Sequence, residues 1–306
     1  MTFNFIHVPK TAGTSFRKSL ENKLGLEAIA YDYGRFVDET HDLIREGVYK
    51  GSVYDMRERL REFSLIAGHV PLTKYAPVTG VSRCIAFVRE PVQRTYSDYL
   101  HNKKHFGYKG SIEEYLKRPA HRNRQSTHLG GVPLAAIGFI GLTERYTDSL
   151  ALLGYQFPSL QVEELSLNTH RRNIKAEHKI SDEDREIILA ANDKDVALYD
   201  QAKQLFEQRF ALYQNKKAVQ RGVITRVLKH KIVGWLAGVE PGEVQAVHGE
   251  ANEVAARARA VEYRPSLAGW GIERDGFVGF TLHNNEVDMH DCRVRIANTD
   301  VFLTGP

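Results

Sequence analysis

The sequence predicts an α/β fold, with a P-loop-like parallel sheet flanked by helices and a small C-terminal antiparallel β module. Three observations predict it. Short apolar runs alternate with stretches of helical periodicity through residues 1–213. One run, Phe3 to Val8, passes through a loop of small residues directly into a helix. Beyond about residue 220 the helical period fades, and short apolar runs are separated by turn dipeptides.

The elements follow in order. Phe3 to Val8 is strand-like, and Pro9 to Gly13 is a loop. From Thr14 the apolar residues Phe16, Leu20 and Leu24 are spaced four apart, which places them on one helix face, and Gly25 stops the helix. Residues 63–67 and 84–88 read as further strands, ending at Gly68-His69 and at Arg89. Pro91 suits the first position of a helix running to about Lys104. Ser111 and Glu114 have capping-box spacing. Ile137 to Leu142 is a buried strand, followed by a helix from about Arg145 to Leu153. A helical region opens at Ser181 and continues, with a break, to about Tyr213. In the C-terminal part, apolar runs at 231–237, 244–248, 277–282 and 292–296 alternate with Pro241-Gly242, Asp275-Gly276 and Asn284-Asn285. The expected division is a domain over 1–221 and a β-rich accessory module over 222–306, a length of 306 residues being near the limit for one core.

Composition bounds the function. With 42% hydrophobic and 26% charged residues the chain is an ordinary globular protein, not disordered, collagen-like or coiled coil. No apolar run reaches the roughly 18 residues that span a bilayer. The opening MTFNFIHVPK lacks the features of a signal peptide, so a cytoplasmic or membrane-peripheral location is expected. Two cysteines, Cys84 and Cys292, exclude a disulfide framework and suit a reducing compartment. A net charge of +4 is too mild to argue for nucleic acid. Residues 221–306 hold 10 basic and 11 acidic side chains, leaving 32 and 27 to residues 1–220. That excess suits an anionic ligand, or simply a mixed solvated surface.

Two motifs carry chemistry. The first is HVPKTAGTSFR, His7 to Arg17. Backbone amides of such a loop, added to a helix N-terminus, make an anion site. Gly13 allows close approach, Thr14 and Ser15 offer hydroxyls, and Lys10 brings a positive charge. A nucleotide-kinase P-loop places its lysine directly after the second glycine; here Lys10 precedes Gly13 by three residues. The second is FVREPVQRTYSDYLH, Phe87 to His101. Arg89 ends a strand at the carboxyl edge, where open α/β sheets bind ligands, and Ser97 follows eight residues later on a helix. A guanidinium fork and a hydroxyl suit a phosphate. Taken singly, each motif is also compatible with a structural role: an ordinary βα turn with a surface lysine, and an arginine paired with a local carboxylate.

Together the motifs resemble the PAPS-dependent sulfotransferases, PAPS being 3′-phosphoadenosine-5′-phosphosulfate. The likeness is greatest to the carbohydrate branch typified by heparan sulfate 2-O-sulfotransferase, and suggests a bacterial member with an appended β module. AGHVPL (67–72) resembles that branch's catalytic-histidine segment, FIGLTERY (139–146) its VGVTEEL-like segment, and THRRN (169–173) a basic loop over the nucleotide. The resemblance implies that Lys10, Thr11, Ala12, Gly13, Thr14, Ser15 and Phe16 hold the 5′-phosphosulfate. It implies that Arg89 and Ser97 hold the 3′-phosphate, with Arg172 on the phosphate side. It makes His69 the general base and Lys10 the stabiliser of the leaving phosphate, with 3′,5′-adenosine bisphosphate as product. The branch often carries a second histidine two residues before the first, where this chain has Ala67. His41, His101, His105 and His128 have no assigned place. No metal is implied, and no zinc, HExxH or calcium-loop spacing occurs.

The expected partner is a hydroxyl-bearing glycan, with no nucleic acid. Lys103, Lys104, His105, Arg122 and Arg124 form a basic neighbourhood that suits an anionic glycan or an exposed helix end. In the C-terminal module, KIVGWLAG, EYRPSLAGWG and DGFVGF look like β modules of some bacterial glycan-modifying transferases. There Trp235, Tyr263, Arg264 and Trp270 form either a sugar platform or, for the two tryptophans, a small core. Other acceptors (a lipid, a phenol, a peptidyl tyrosine) stay open, as does a non-catalytic nucleotide- or glycan-binding protein.

Overall fold

The computed structural model describes residues 1–162 and 177–305. It divides into two compact units. The first comprises Met1–Thr79, Arg83–Leu134 and Phe139–Lys203; the second comprises Gly80–Ser82, Ala135–Gly138 and Gln204–Pro306.

The first unit contains β1 (Phe3–Ile6), α1 (Gly13–Leu24), β2 (Ile29–Asp32), α2 (Val53–Leu60), β3 (Leu65–Gly68), α3 (Leu72–Thr79), β4 (Cys84–Val88), α4 (Pro91–Phe106), α5 (Ile112–Leu116), α6 (Arg124–Leu129), β5 (Phe139–Leu142), α7 (Tyr146–Gln156) and α8 (Asp182–Ala191). The division falls within the next helix, α9 (Asp193–Gln214). The five strands are all parallel, in the order β2-β3-β1-β4-β5. Every residue of β1, β3, β4 and β5 is buried, as expected where helices cover both faces of a parallel sheet. The predicted α/β class is therefore observed.

Parallel pairing puts all five carboxyl ends on one edge. From β1 the chain leaves toward β2 on one side, and from β4 it leaves toward β5 on the other. The crevice between β1 and β4 is thus the topological switch point, the place where such sheets bind ligands.

Local signals act as anticipated. Gly25 closes α1 with φ 82°, and Gly107 closes α4 with φ 65°. Ser111 and Glu114 form the capping box of α5. The break in the last helical region falls at Asn192, between α8 and α9. The short strand β2 has no counterpart in the sequence expectations. Its Asp32 is fully buried and accepts from Tyr75 Oη at 2.7 Å, Tyr49 Oη at 2.8 Å and Lys74 Nζ at 2.6 Å. A buried carboxylate so supplied is compensated, and it anchors the end of β2 beside β3.

The second unit has two antiparallel sheets where one small module is expected. Its strands are β6 (Arg221–Leu228), β7 (Lys231–Ala237), β8 (Glu243–His248), β9 (Glu253–Arg259), β10 (Glu262–Tyr263), β11 (Phe277–His283) and β12 (Arg293–Ile296). The sheets run β10-β11-β7-β6 and β12-β8-β9. Leu236, Phe280, Leu282, Val244, Ala246 and Val294 from both sheets share one core. Trp235 is 3% exposed, so it fills the interior and offers no sugar face. Arg264 lies across the sheet where Gly279 has no side chain. Its guanidinium donates to the carbonyls of Gly234 at 3.2 Å and Phe280 at 3.1 Å, and to Glu262 at 2.9 Å. Of the four residues suggested as a platform, Trp270 is half-buried, and Tyr263 is exposed and packs on Phe277 at 5.2 Å.

A Cβ at Gly68 would overlap the backbone carbonyl of Asp32 on the neighbouring strand. Gly68→Ala must therefore push β2 from β3, at a cost of about 1–3 kcal/mol. Thermal unfolding should show a midpoint several degrees lower; an unchanged midpoint would contradict this strand register.

Candidate functional site

Three loops leave the carboxyl edge side by side: residues 7–12 after β1, His69 after β3, and Arg89-Glu90 after β4. The first is strained. Lys10 and Ala12 have left-handed backbones, φ 70° and 65°, which cost side chains energy and recur at ligand sites. The Thr11 hydroxyl donates to the Val8 carbonyl at 2.9 Å and locks the turn. Ala12 caps α1 without a side-chain bond, so no side chain of the cap pairs the first amides of the helix. Gly13 is buried at the start of α1, Thr14 is exposed and Ser15 half-buried, with the Ser15 amide donating to the Ala12 carbonyl at 3.1 Å. Phe16 is fully buried, with its ring between Phe5 and Phe87, so its side chain belongs to the core.

Lys10 is half-buried. Burial lowers its ammonium pKa, with the Asp98 carboxylate opposing and Arg89 reinforcing the shift. Arg89 lies across the switch-point crevice. It is 8% exposed, and among the described residues its guanidinium makes one long hydrogen bond, 3.5 Å to the Lys10 carbonyl. Burial lowers its pKa, opposed first by the charge of Glu144. Ser97 is half-buried on α4, on the same helix face as Gln93 and His101. Gln93 exchanges two hydrogen bonds with the backbone of His178, at 2.8 and 3.1 Å. His101 is lowered by burial and by Lys10, and His178 by burial, Arg89 and Lys10, so both share the cationic field of the crevice. Arg172 lies outside the described residues.

His69 keeps solvent-accessible surface on the other side of β1. Its Nδ1 is hydrogen-bonded to the His7 carbonyl. A carbonyl only accepts, so Nδ1 carries the proton and Nε2 of the neutral ring is bare. Desolvation lowers the pKa of His69; the His7 bond opposes this, and Arg124 and Arg17 add to it. The imidazole is thus held neutral near pH 7.

The environment of His69 contains residues that the sequence reading left without roles. The His7 ring packs on it with centroids 4.4 Å apart, and Tyr33 stands edge-on at 4.9 Å. Tyr33 Oη accepts from Arg17 Nη1 at 3.3 Å and lies 3.4 Å from His7 Nδ1. His7 is buried, and burial with the charges of His69 and Arg17 pushes its pKa down to about 3. His128, also buried, donates a hydrogen bond from Nδ1–H to the Arg124 carbonyl at 2.7 Å; burial foremost lowers its pKa to about 4. His7 and Arg17 flank the loop motif, so their proximity was visible. Tyr33 and His128 lie in segments that carry no motif. Beneath the site, fully buried Arg94 pairs with Asp98 at 3.4 Å.

No family model matches the chain, and no curated protein does. Among solved structures it is similar to a sulfotransferase from Alicyclobacillus acidocaldarius, at 17% identity and a TM-score of 0.34. The match covers 64% of this chain and 93% of that one. A likeness of that size carries no argument about activity. No metal-binding group of His, Cys, Asp or Glu side chains occurs among the described residues, and none of their helices is long and apolar enough to cross a membrane.

Two predictions follow from the imidazoles. In an NMR titration of the histidine Cε1 protons, His69 should titrate below 6.5, and Arg124→Gln should move its midpoint upward by removing an opposing cation. An unmoved midpoint would show that Arg124 does not reach His69. His7 and His128 stay neutral in the folded chain down to about 3 and 4, whereas the unfolded chain protonates them near 6.5. Stability is therefore lost as pH falls through the window from about 6.5 to 4, each group adding up to about 1.4 kcal/mol per pH unit. Chemical denaturation of His128→Leu should show a shallower pH slope over that window; an unchanged slope would contradict the buried neutral ring.

Proposed function

We propose that the chain is a PAPS-dependent O-sulfotransferase acting on a carbohydrate hydroxyl, its donor bound by the domain over 1–221. The observation that carries this reading is Arg89: a buried cation at the switch point whose guanidinium makes, among the described residues, one long hydrogen bond. A buried charge with so little hydrogen bonding is costly, and an anionic ligand would offset that cost. A second anion position lies at the loop over Lys10–Ser15 and the N-terminus of α1. Two anion sites on neighbouring strand ends suit a nucleotide phosphorylated at both 3′ and 5′ positions. The loop with Lys10, Thr14 and Ser15 takes the 5′-phosphosulfate, while Arg89 and Ser97, with Arg172, take the 3′-phosphate.

In the reaction the acceptor oxygen forms a bond to sulfur as the bond from sulfur to the bridging oxygen breaks. The hydroxyl proton passes to the bare Nε2 of His69. The electron pair of the broken bond stays on the 5′-phosphate of 3′,5′-adenosine bisphosphate, where the Lys10 ammonium and the loop amides stabilise it. A base held neutral in one tautomer favours transfer over simple binding. A carbohydrate acceptor rests on the resemblance to the heparan sulfate 2-O-sulfotransferase branch and on the basic residues near Lys103 and Arg124.

Calorimetric titration with 3′,5′-adenosine bisphosphate, beside AMP and ATP, tests the donor site. Micromolar binding that needs both the 3′-phosphate and Arg89 is expected, and Arg89→Ala should abolish the preference over AMP. Equal affinity for AMP and the bisphosphate in the wild type would defeat the reading. Lys10→Ala should cut turnover by about 10²- to 10³-fold while donor binding changes less.

A further inference from the structure

Arg89 is located by its backbone. The Gln125 carboxamide accepts from the Arg89 amide at 2.8 Å and donates to the Arg89 carbonyl at 2.9 Å. These two bonds reproduce a β-ladder pair one residue beyond Val88, where the pairing of β4 with β5 ends. The next amide, of Glu90, donates to Glu144 Oε1 at 2.8 Å. Both clasping side chains are themselves fixed. Gln125 is fully buried at the start of α6, where Asp195 of α9 accepts from the amides of Gln125 at 3.1 Å and Ser126 at 2.7 Å. The Asp195 amide in return donates to Asn123 at 3.0 Å. The second oxygen of Glu144 accepts from Tyr199 Oη at 3.0 Å.

We infer that Gln125 and Glu144 are positioning residues for the anion that Arg89 binds, which on the donor-site reading above is the 3′-phosphate. The clasp acts in two ways. It fixes the Cα from which the guanidinium reaches into the crevice, and loss of alignment at such a site weakens recognition steeply. It also occupies both oxygens of Glu144, the carboxylate whose charge acts most on Arg89, and so keeps that internal anion from folding over the guanidinium. Without the clasp, Arg89 would have a competing partner and a looser base.

The test is calorimetry on the full chain, comparing wild type with Gln125→Met and Tyr199→Phe. Gln125→Met is unbranched and of similar length but makes neither bond, and Tyr199→Phe removes one hydroxyl from Glu144. The probes are 3′,5′-adenosine bisphosphate and AMP, with unfolding midpoints recorded in parallel. Gln125→Met should weaken the bisphosphate about 10-fold or more while AMP changes by less than about 3-fold. Tyr199→Phe should shift the same ratio in the same direction by about 3-fold. The selectivity ratio is the readout, because a general loss of stability lowers both affinities alike. A wild type that prefers the bisphosphate, with the ratio unchanged in either folded variant, overturns this inference alone. A wild type with no preference overturns the donor reading and this inference with it.

Discussion

The central strand β1 is paired on both sides, and that constraint organises the rest of the first unit. Its register sets Ile6 beside Gly68 on one neighbour and Ala86 on the other. One residue further, the His7 carbonyl meets the His69 ring; three residues beyond that, the Lys10 carbonyl meets the Arg89 guanidinium. Residues 62 and 79 positions apart are thus brought together by backbone pairing, before any side chain chooses a partner. This is why a short loop can hold a buried guanidinium and an imidazole whose electrostatic requirements differ.

Those requirements are met by one physical effect used with two outcomes. Burial removes water from cations and from imidazoles alike. For Arg89 it leaves a charge that cannot be discharged, since guanidinium stays protonated, and the nearby carboxylate of Glu144 opposes the cost only in part. For His7 and His128, and in part for His69, it is answered by neutrality, each ring having its pKa lowered by desolvation. The crevice therefore combines permanent positive charge with imidazoles whose lowered pKa values keep them from adding to it.

What could be read from the sequence is what is local. The strand ends at Gly68 and Val88, the loop over residues 9–13, the capping box at Ser111 and the break at Asn192 each depend on neighbouring residues, and each is found near its expected place. The strand β2 escaped notice because IAYD is four residues long with a charged end. β6 and β9 escaped because Arg, Glu and Thr on their outer faces dilute the apolar alternation. In the candidate site, Lys10 and Arg89 stood out by their position after strands. Gln125 and Glu144 did not, since they reach Arg89 and Glu90 across 36 and 54 residues of chain. Nor did the packing of His7 on His69, which exists only once β1 and β3 are aligned.

The glycine at position 13 has a second tenant. A side chain there would collide with the His7 imidazole before it met any ligand. The two positions are therefore coupled through shared volume, six residues apart on opposite sides of the loop. A related chain with a smaller side chain at 7 has room for alanine or serine at 13, whereas one that keeps the histidine does not. Substitution at these two sites should then be inherited as a pair, and an engineer who wishes to change the loop must begin at the strand.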